Sequence, residues 1–256
     1  MSKTHYQLPN GHWIQQCNSY ETDFLFQEIF VEQCYLQHGI KLPANATVFD
    51  VGANIGLFSL YIKQKFPSSQ IHAFEPIPAI YQLLHLNLAE FATGVQTYNC
   101  GLAEQIKTAS FDYYPGYSVV SGIQVEKQRA LEILQSGMPT SQERDLLNQR
   151  LSAYTRLQCQ FTTLTRVLSQ ANITQIDLLK IDVEGAELAV LKGIADNDWP
   201  KIRQIVLEIH SANELQAILT LLEDKGFKLQ LEEDPKLKGA GIYQLFAFGV
   251  ENAATA

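Results

Sequence analysis

The chain has 256 residues, 46% of them hydrophobic and 18% charged, so it can bury a sizeable core and is not a disordered chain. Its formal net charge of -8, from 19 basic and 27 acidic residues, repels a polyphosphate backbone and disfavours nucleic-acid partners. Four scattered cysteines, a polar beginning and the lack of a long apolar stretch predict a reduced, cytoplasmic protein without a membrane span.

The first part of the chain alternates between predicted helices and strands. Residues 21–38 carry apolar side chains at helical spacing, which predicts an N-terminal helix within a helical cap of residues 1–44. Strands are predicted at 46–51, 70–74 and 95–100, with helices at 57–65 and 78–91 between them. Because short connections join these elements, their order predicts a parallel sheet with right-handed crossovers.

The alternation stops between residues 113 and 160. An extended segment at 109–114 and a strand at 156–161 enclose a charged, amphipathic, helical stretch. Within it, Thr140 and Glu143 form a capping-box pattern that restarts the helix. We interpret residues 113–160 as a lid insertion over the sheet edge, although a helical hairpin without contact to substrate fits the pattern equally well.

The alternation then resumes and completes one domain. Strands are predicted at 176–181, 205–209, 227–231 and 242–248, with helices at 186–193 and 211–225. Ser211 and Glu214 form a capping-box pattern at the start of the last helix. The last two strands can pair antiparallel, so the prediction is a single α/β domain over 1–256 with a seven-stranded, mostly parallel sheet and an antiparallel last strand.

A glycine-containing loop follows the first predicted strand of this sheet. Residues 50–56, the glycine loop, read Asp-Val-Gly-Ala-Asn-Ile-Gly, with glycines at Gly52 and Gly56. A dinucleotide fingerprint needs a glycine where Asn54 stands, and the Asp50 carboxylate would repel a pyrophosphate, so NAD and FAD are disfavoured. A ligand with an ammonium and a carboxylate but no phosphate fits better. We therefore expect S-adenosylmethionine, with Asp50 orienting the ammonium and Gly52 leaving room for it.

The second predicted strand ends in an acid that can bind a ribose. Glu75 lies 23 positions after Gly52, and its carboxylate can accept hydrogen bonds from both ribose hydroxyls, while Pro76 fixes the chain after it. The simpler alternative is an acid near a helix N-terminus. The spacing favours the ribose, and we expect the backbone of Gly101 and Leu102, at the end of the third strand, beside the adenine.

The fourth predicted strand carries charges. Lys180 and Asp182 lie on one side of it, and a lysine within an apolar strand requires a partner. We assign Lys180, Asp182 and Glu184 to the catalytic site, with Asp182 also near the cofactor, against the alternative of a buried structural ion pair. Glu187 is interpreted only as an acid at the next helix N-terminus.

The fifth predicted strand ends at His210, at the mouth of the expected pocket. A histidine there can take a proton near neutral pH, so we predict that His210 is the general base. No cluster of histidines and cysteines has metal-ligand spacing. Asp182, Glu184 and His210 could hold a divalent ion, but a site without metal is the favoured interpretation.

Three segments together resemble one known family. Residues 50–56, Phe74-Glu75-Pro76 and residues 179–187 are similar to the FkbM family of S-adenosylmethionine-dependent methyltransferases, over roughly residues 45–250. The resemblance implies a Rossmann-like class I fold and O-methylation of natural products, including polyketides, nonribosomal peptides and some sugars. Residues 20–26, 113–118 and 121–122 look like the branch tied to assembly lines, where a carrier protein often bears the substrate hydroxyl.

These observations predict an O-methyltransferase that acts on a small or carrier-tethered natural-product intermediate. Three alternatives stay open: a sugar O-methyltransferase, an N-methyltransferase and a catalytically silent S-adenosylmethionine-binding module. The sequence does not determine the oligomeric state. The insertion carries basic residues that can meet an acidic carrier or form a solvated face: Lys127, Arg129, Arg144, Arg150 and Arg156.

Overall fold

The computed structural model describes residues 4–91, 93–116, 118, 121–122, 145, 151, 154–233 and 241–249. The strands are β1 (Thr4–Gln7), β2 (Trp13–Gln16), β3 (Thr47–Val51), β4 (Gln70–Phe74), β5 (Val95–Tyr98), β6 (Gly101–Leu102), β7 (Lys107–Tyr113), β8 (Thr155–Thr162), β9 (Leu178–Ile181), β10 (Gln204–Ile209), β11 (Phe227–Glu233) and β12 (Tyr243–Gly249). The α-helices are α1 (Ser19–Phe26), α2 (Leu57–Lys65), α3 (Pro78–Asn87), α4 (Leu164–Gln170), α5 (Glu187–Lys192) and α6 (Ala212–Asp224).

Seven strands form the central sheet, in the order β11-β12-β10-β9-β3-β4-β5. The strands run parallel except β12, which is antiparallel to both β10 and β11. The predicted seven-stranded, mostly parallel sheet with an antiparallel last strand is therefore confirmed. The strand order reverses direction between β3 and β9, and ligands of open α/β sheets bind at the carboxyl ends beside such a reversal.

Both faces of this sheet are buried, because alternate residues of each strand enter different cores. Val48, Leu178 and Val206 belong to the cluster that also contains α2 and α3. Phe49 and Leu179 belong to the second cluster, which contains α4, α5 and α6. Central parallel strands covered on both faces read as continuous apolar runs, which is why they were predictable from sequence.

The N-terminal region differs from the prediction. The expected helix over 21–38 is broken: α1 ends at Phe26, a π-helical turn covers Gln27–Val31, and a 3-10 turn covers Cys34–Leu36. Gln33 lies between these turns with φ 54°, a left-handed conformation that an α-helix cannot contain. The β1-β2 hairpin, which was not predicted, precedes them.

Two further details of the helices differ from the prediction. α4 was not predicted, although Thr163 caps it by accepting a hydrogen bond from the Arg166 backbone N–H. The capping box expected at Ser211 is wrong in detail, because the Ser211 carbonyl, not its side chain, accepts from the Glu214 N–H at 3.0 Å.

The expected lid can be followed only at its edges. β7 and β8 pair antiparallel and join β6 in a three-stranded sheet, so residues 107–113 and 155–162 hold the two ends of the insertion together. The residues predicted to be helical between them, including the predicted capping box at Thr140, lie almost wholly outside the described residues. Within the described part, no helix is both long and apolar enough to cross a bilayer.

Candidate active site

The glycine loop joins β3 to α2 at the carboxyl end of the sheet. Gly52, Asn54 and Gly56 all have positive φ, at 79°, 48° and 93°. A Cβ on Gly52 would lie 1.7 Å from the Asp182 main-chain oxygen. The glycine was predicted to leave room for a ligand, but the adjoining end of β9 already requires it.

Asp50 lies behind the glycine loop and not on its surface. The residue is fully buried, and its Oδ2 accepts a hydrogen bond from the Ser59 hydroxyl at 2.7 Å. Its Oδ1 lies 3.2 Å from the Lys180 ammonium. Asp50 was expected to orient a ligand ammonium directly or through water, and that role stays a prediction. Its observed contacts support the glycine loop through Lys180 and α2.

Glu75 joins the ends of β3 and β4. Its Oε2 accepts from the Asn54 backbone N–H at 3.1 Å, and its Oε1 accepts from the Ile77 N–H at 2.8 Å. Burial raises the pKa of this carboxyl to about 7. The Asn99 amide donates to the carbonyls of Glu75 and Pro76, at 3.0 and 3.3 Å, so the end of the third strand is tied to the same acid. Because each carboxylate oxygen has two lone pairs, both can still accept a ribose hydroxyl.

Gly101 and Leu102 form β6, beside the expected adenine position. A Cβ on Gly101 would lie 2.5 Å from the Phe161 ring, which explains the glycine without a ligand. The Leu102 side chain is buried in the second core cluster. Their contact with adenine stays a prediction.

Lys180 connects the glycine loop to the end of β9. Its ammonium donates to the Gly52 carbonyl at 2.8 Å and lies 3.4 Å from Asp182, the predicted partner, as well as beside Asp50. Burial alone would lower the pKa of Lys180, but Asp50 and Asp182 reverse this and raise it. Lys180 is therefore a buried cation that joins the end of β3 and the start of the glycine loop to the end of β9.

Tyr35, from the N-terminal region, was missed by the sequence argument. Its hydroxyl donates to Asp182 Oδ2 at 3.0 Å, and its ring lies 5.3 Å from the Lys180 ammonium. Burial favours the neutral acid at Asp182, but Lys180 and His210 hold its pKa below the usual value. Only the apolar spacing of the N-terminal segment pointed to Tyr35, and that spacing indicates burial, not a contact 147 positions away.

His210 lies among carboxylates at the end of β10. Its Nδ1 is 2.9 Å from Glu187 Oε1, and its Nε2 is 3.6 Å from Glu184 and 3.5 Å from Glu208. We call these four residues the His210 network. Burial alone would lower the pKa of His210, but the carboxylates raise it well above its ordinary value. A raised pKa favours the protonated ring, which lacks the lone pair that a general base needs, and the role of His210 as general base stays a prediction.

Glu184 and Glu187 differ in burial. Glu184 is partly exposed and has φ 54°. Burial and the neighbouring acids Asp182, Glu208 and Glu187 raise its pKa to about 8, although the charge of His210 opposes this rise. Glu187 is fully buried, and its Oε1 also accepts from the Gly185 N–H at 2.9 Å. Glu187 is the first residue of α5, in agreement with its interpretation as an acid at a helix N-terminus, and its contact with His210 is an addition that the spacing did not indicate.

One group in the described part of the chain has metal-ligand spacing. Asp182, Glu208 and His210 each offer an atom within 4.8 Å of the others. The sequence argument named Glu184 in place of Glu208, although Glu208 and His210 share one side of β10 by strand alternation. A protonated His210 has no free lone pair at Nε2, so this group could bind a metal only after losing that proton.

A cleft opens beside Glu208, between the N-terminal region and the last two strands. Its lining is mainly acidic and polar: Glu28, Glu32, Cys34, Gln37, Glu208, Glu232, Glu233, Ile242, Tyr243 and Gln244. Because Glu208 also contacts His210, the cleft reaches the His210 network.

The N-terminal region and the start of the insertion meet above the glycine loop. Buried Glu21 accepts hydrogen bonds from the Ser118 N–H at 3.0 Å and from the Ser118 hydroxyl at 2.6 Å. The same hydroxyl is 3.4 Å from the Asn54 amide. These contacts join two segments that lie 97 positions apart and place both next to the loop.

The basic residues expected to dock a carrier are described at one position only. Arg156, on β8, forms a bidentate ion pair with Asp112, on β7. Its Nε donates to Oδ1 at 2.7 Å and its Nη2 donates to Oδ2 at 3.0 Å. The other four lie outside the described residues. Arg156 is thus already engaged within the three-stranded sheet.

Comparison with known proteins agrees with this arrangement. Residues 50–229 match the family model of the methyltransferase FkbM domain. The 31-O-demethyl-FK506 methyltransferase FkbM of Streptomyces tacrolimicus is 34% identical, over 94% of this chain and 95% of that protein. The AMB antimetabolite synthetase AmbE of Pseudomonas aeruginosa is 37% identical over 94% of this chain, but the match spans only 12% of AmbE.

A solved structure supports the fold. The crystal structure of the methyltransferase FkbM from Methylobacillus flagellatus superposes with a TM-score of 0.52 at 14% identity, over 82% of this chain and 45% of that one. The sheet order, the glycine loop and the match over residues 50–229 lead to one conclusion: the chain belongs to the FkbM family of S-adenosylmethionine-dependent methyltransferases.

Proposed function

We propose that the protein methylates a hydroxyl oxygen of a natural-product intermediate. The observation that carries the proposal is the meeting of Glu75, the glycine loop and the His210 network at one edge of the sheet. The similar enzyme from Streptomyces tacrolimicus bears a name that specifies an O-demethylated acceptor, which supports oxygen as the acceptor atom here.

The residues at this edge fit S-adenosylmethionine. Glu75 retains lone pairs for two ribose hydroxyls, and the backbone of residues 52–56 can face the amino-acid part of the donor. The Asp182 carboxylate suits a ligand that carries a sulfonium and an ammonium. When bound, S-adenosylmethionine supplies an electrophilic methyl group.

The methyl transfer requires alignment and removal of one proton. As the acceptor oxygen bonds to the methyl carbon, the carbon–sulfur bond breaks and the hydroxyl proton must leave. Holding the reacting atoms in line can contribute roughly 7–11 kcal/mol. Because the surrounding carboxylates favour the protonated form of His210, we propose that Glu184 accepts the proton. A carboxylate with a pKa of about 8 is a stronger base than an ordinary one and lies near the operating pH.

The first experiment measures release of S-adenosylhomocysteine with a panel of free and carrier-tethered hydroxy acids. Mass spectrometry with a deuterated methyl donor then identifies the acceptor atom. We expect O-methylation, and a methylated nitrogen or sugar would select one of the alternative activities. Donor binding without S-adenosylhomocysteine release from any acceptor would identify a silent binding module instead.

A variant of His210 tests the chemical part of the site. His210→Ala leaves the carboxylates without their cation, so most turnover should be lost. S-adenosylmethionine affinity should change little, because His210 makes no contact with the glycine loop among the described hydrogen bonds and ion pairs. Full activity of this variant would exclude His210 from the chemistry.

We further propose that residues 113–160 cover a carrier-tethered acceptor. The contacts of Ser118 with Glu21 and Asn54 support a link between the insertion and the glycine loop. AmbE, which is named a synthetase, contains the similar segment within a much longer chain. Replacing residues 123–150 by a short glycine–serine linker should preserve donor binding and abolish turnover. Unchanged turnover would contradict the role of residues 113–160 as a lid.

The carrier can be tested separately from the lid. Reversing the charges of Lys127, Arg129, Arg144 and Arg150 should raise the KM for a carrier-bound acceptor and leave a free acceptor unaffected. Unchanged kinetics with the carrier-bound acceptor would contradict the proposal that these residues dock a carrier protein. Arg156 is left intact because its ion pair with Asp112 joins β7 and β8.

A further inference from the structure

Glu187 is the acid of the His210 network that is fully shielded from solvent. Its Oε1 accepts two hydrogen bonds at 2.9 Å, from His210 Nδ1 and from the Gly185 N–H. A buried carboxylate is costly unless it is paired and hydrogen-bonded. The Glu187–His210 contact is therefore the fixed part of the network, while Glu184 and Glu208 remain partly exposed.

The contact joins the two loops that form the candidate site. Glu187 begins α5, after the end of β9, and His210 follows the end of β10. An imidazolium has two N–H groups, and Glu187 uses the one at Nδ1. The other, at Nε2, is thereby directed toward Glu184 and Glu208.

We propose that Glu187 is a positioning residue, which fixes the His210 ring so that its Nε2–H faces Glu184 and Glu208. The inference rests on the proposed function for its kinetic consequence, whereas the ring orientation itself is independent of any activity. Without Glu187, the ring is free to turn about its χ2 torsion. The cation beside Glu184 is then no longer held in place.

Four acids determine the charge of His210. Glu184, Glu187 and Glu208 contact the ring, and Asp182 acts on it from the end of β9. Removing the charge of Glu187 takes away the nearest of them. His210 in Glu187→Gln should therefore lose its proton at a lower pH than in the wild type. The rate at neutral pH should fall by about 10–100-fold, by analogy with the loss of carboxylates that orient metal-bound histidines.

The test compares Glu187→Gln with Glu214→Gln in the full chain. Glu214 lies in the first turn of α6, and its carboxyl senses the charge of Glu187, but no described hydrogen bond or ion pair joins it to His210. NMR spectra of ring-labelled histidines, assigned with His210→Ala, report the titration and the N–H positions of His210. Steady-state kinetics over pH separate kcat from the KM for S-adenosylmethionine.

We expect Glu187→Gln to shift the His210 titration, lower kcat and leave that KM nearly unchanged. Glu214→Gln should leave the titration and the rate near wild type. Glu187→Asp keeps the charge on a shorter side chain, so it should retain a high His210 pKa and recover part of kcat. This variant also decides the question if Glu187→Gln does not fold.

An unchanged His210 titration and pH profile in Glu187→Gln would overturn the proposal, even if the variant were less stable. An equal effect of Glu214→Gln would also overturn the proposal, because the loss of any nearby negative charge would then produce the same change in His210. If the wild type methylates no acceptor, the proposed function fails, but the NMR titration still decides whether Glu187 positions His210.

Discussion

Replacement of Lys180 by methionine tests the buried charges behind the glycine loop. Lys180 is 3% exposed and Asp50 is 0% exposed, and their charged atoms are 3.2 Å apart. Methionine keeps most of the apolar volume but leaves the Asp50 carboxylate without its cation. Removing one partner of a buried ion pair costs about 3–5 kcal/mol, so Lys180→Met should lower the free energy of unfolding by that amount.

Urea unfolding followed by circular dichroism measures this loss. Lys180→Met combined with Asp50→Asn should be more stable than Lys180→Met alone, because asparagine carries no charge and can still accept the Ser59 hydroxyl. Lys192→Met, at the exposed end of α5, is the matched control and should change stability by less than about 0.5 kcal/mol. The reasoning is refuted if Lys180→Met costs less than about 1 kcal/mol, or if Asp50→Asn does not restore stability in the double variant.

Three further predictions concern the site. Because Glu184 binds its proton up to about pH 8, kcat/KM should rise with pH through that value, and Glu184→Gln should abolish the rise and lower kcat by about 10²–10⁴-fold; a wild-type rate independent of pH between 6 and 9 would contradict this. Ser118→Ala removes a donor from buried Glu21 and should cost about 1–3 kcal/mol in thermal or urea unfolding, against little change for exposed Ser110→Ala. Dialysis against EDTA should leave turnover unchanged, because the His210 ring is already engaged by Glu184, Glu187 and Glu208, whereas activity lost and restored by Mg²⁺ or Mn²⁺ would establish a metal site.

Local patterns were sufficient for most of the sheet and its helices. α2 and β4 have the predicted bounds, 57–65 and 70–74, because apolar periodicity and flanking stop signals lie within the elements themselves. The N-terminal helix failed because its apolar spacing continues through Gln33, whose left-handed conformation no local pattern indicated.

The sequence by itself determined the fold class and the ligand class. Buried strands, a glycine loop without the middle glycine and Glu75 after the second strand are local features, and they favoured S-adenosylmethionine over a dinucleotide, in agreement with the family match. The alternation along β9 also predicted that Lys180 pairs with Asp182.

Only the tertiary structure decided how the charges of the site are shared. Gly52 is required by the Asp182 carbonyl, and Tyr35 reaches Asp182 from 147 positions away. The carboxylates of Glu184, Glu187 and Glu208 surround His210 and raise its pKa, and Glu187 is buried against the ring. The protonation of an acid or histidine depends on its burial and on the distance to other charges. Strand order and packing set both, so sequence spacing alone could name His210 as a site residue but could not give its charge.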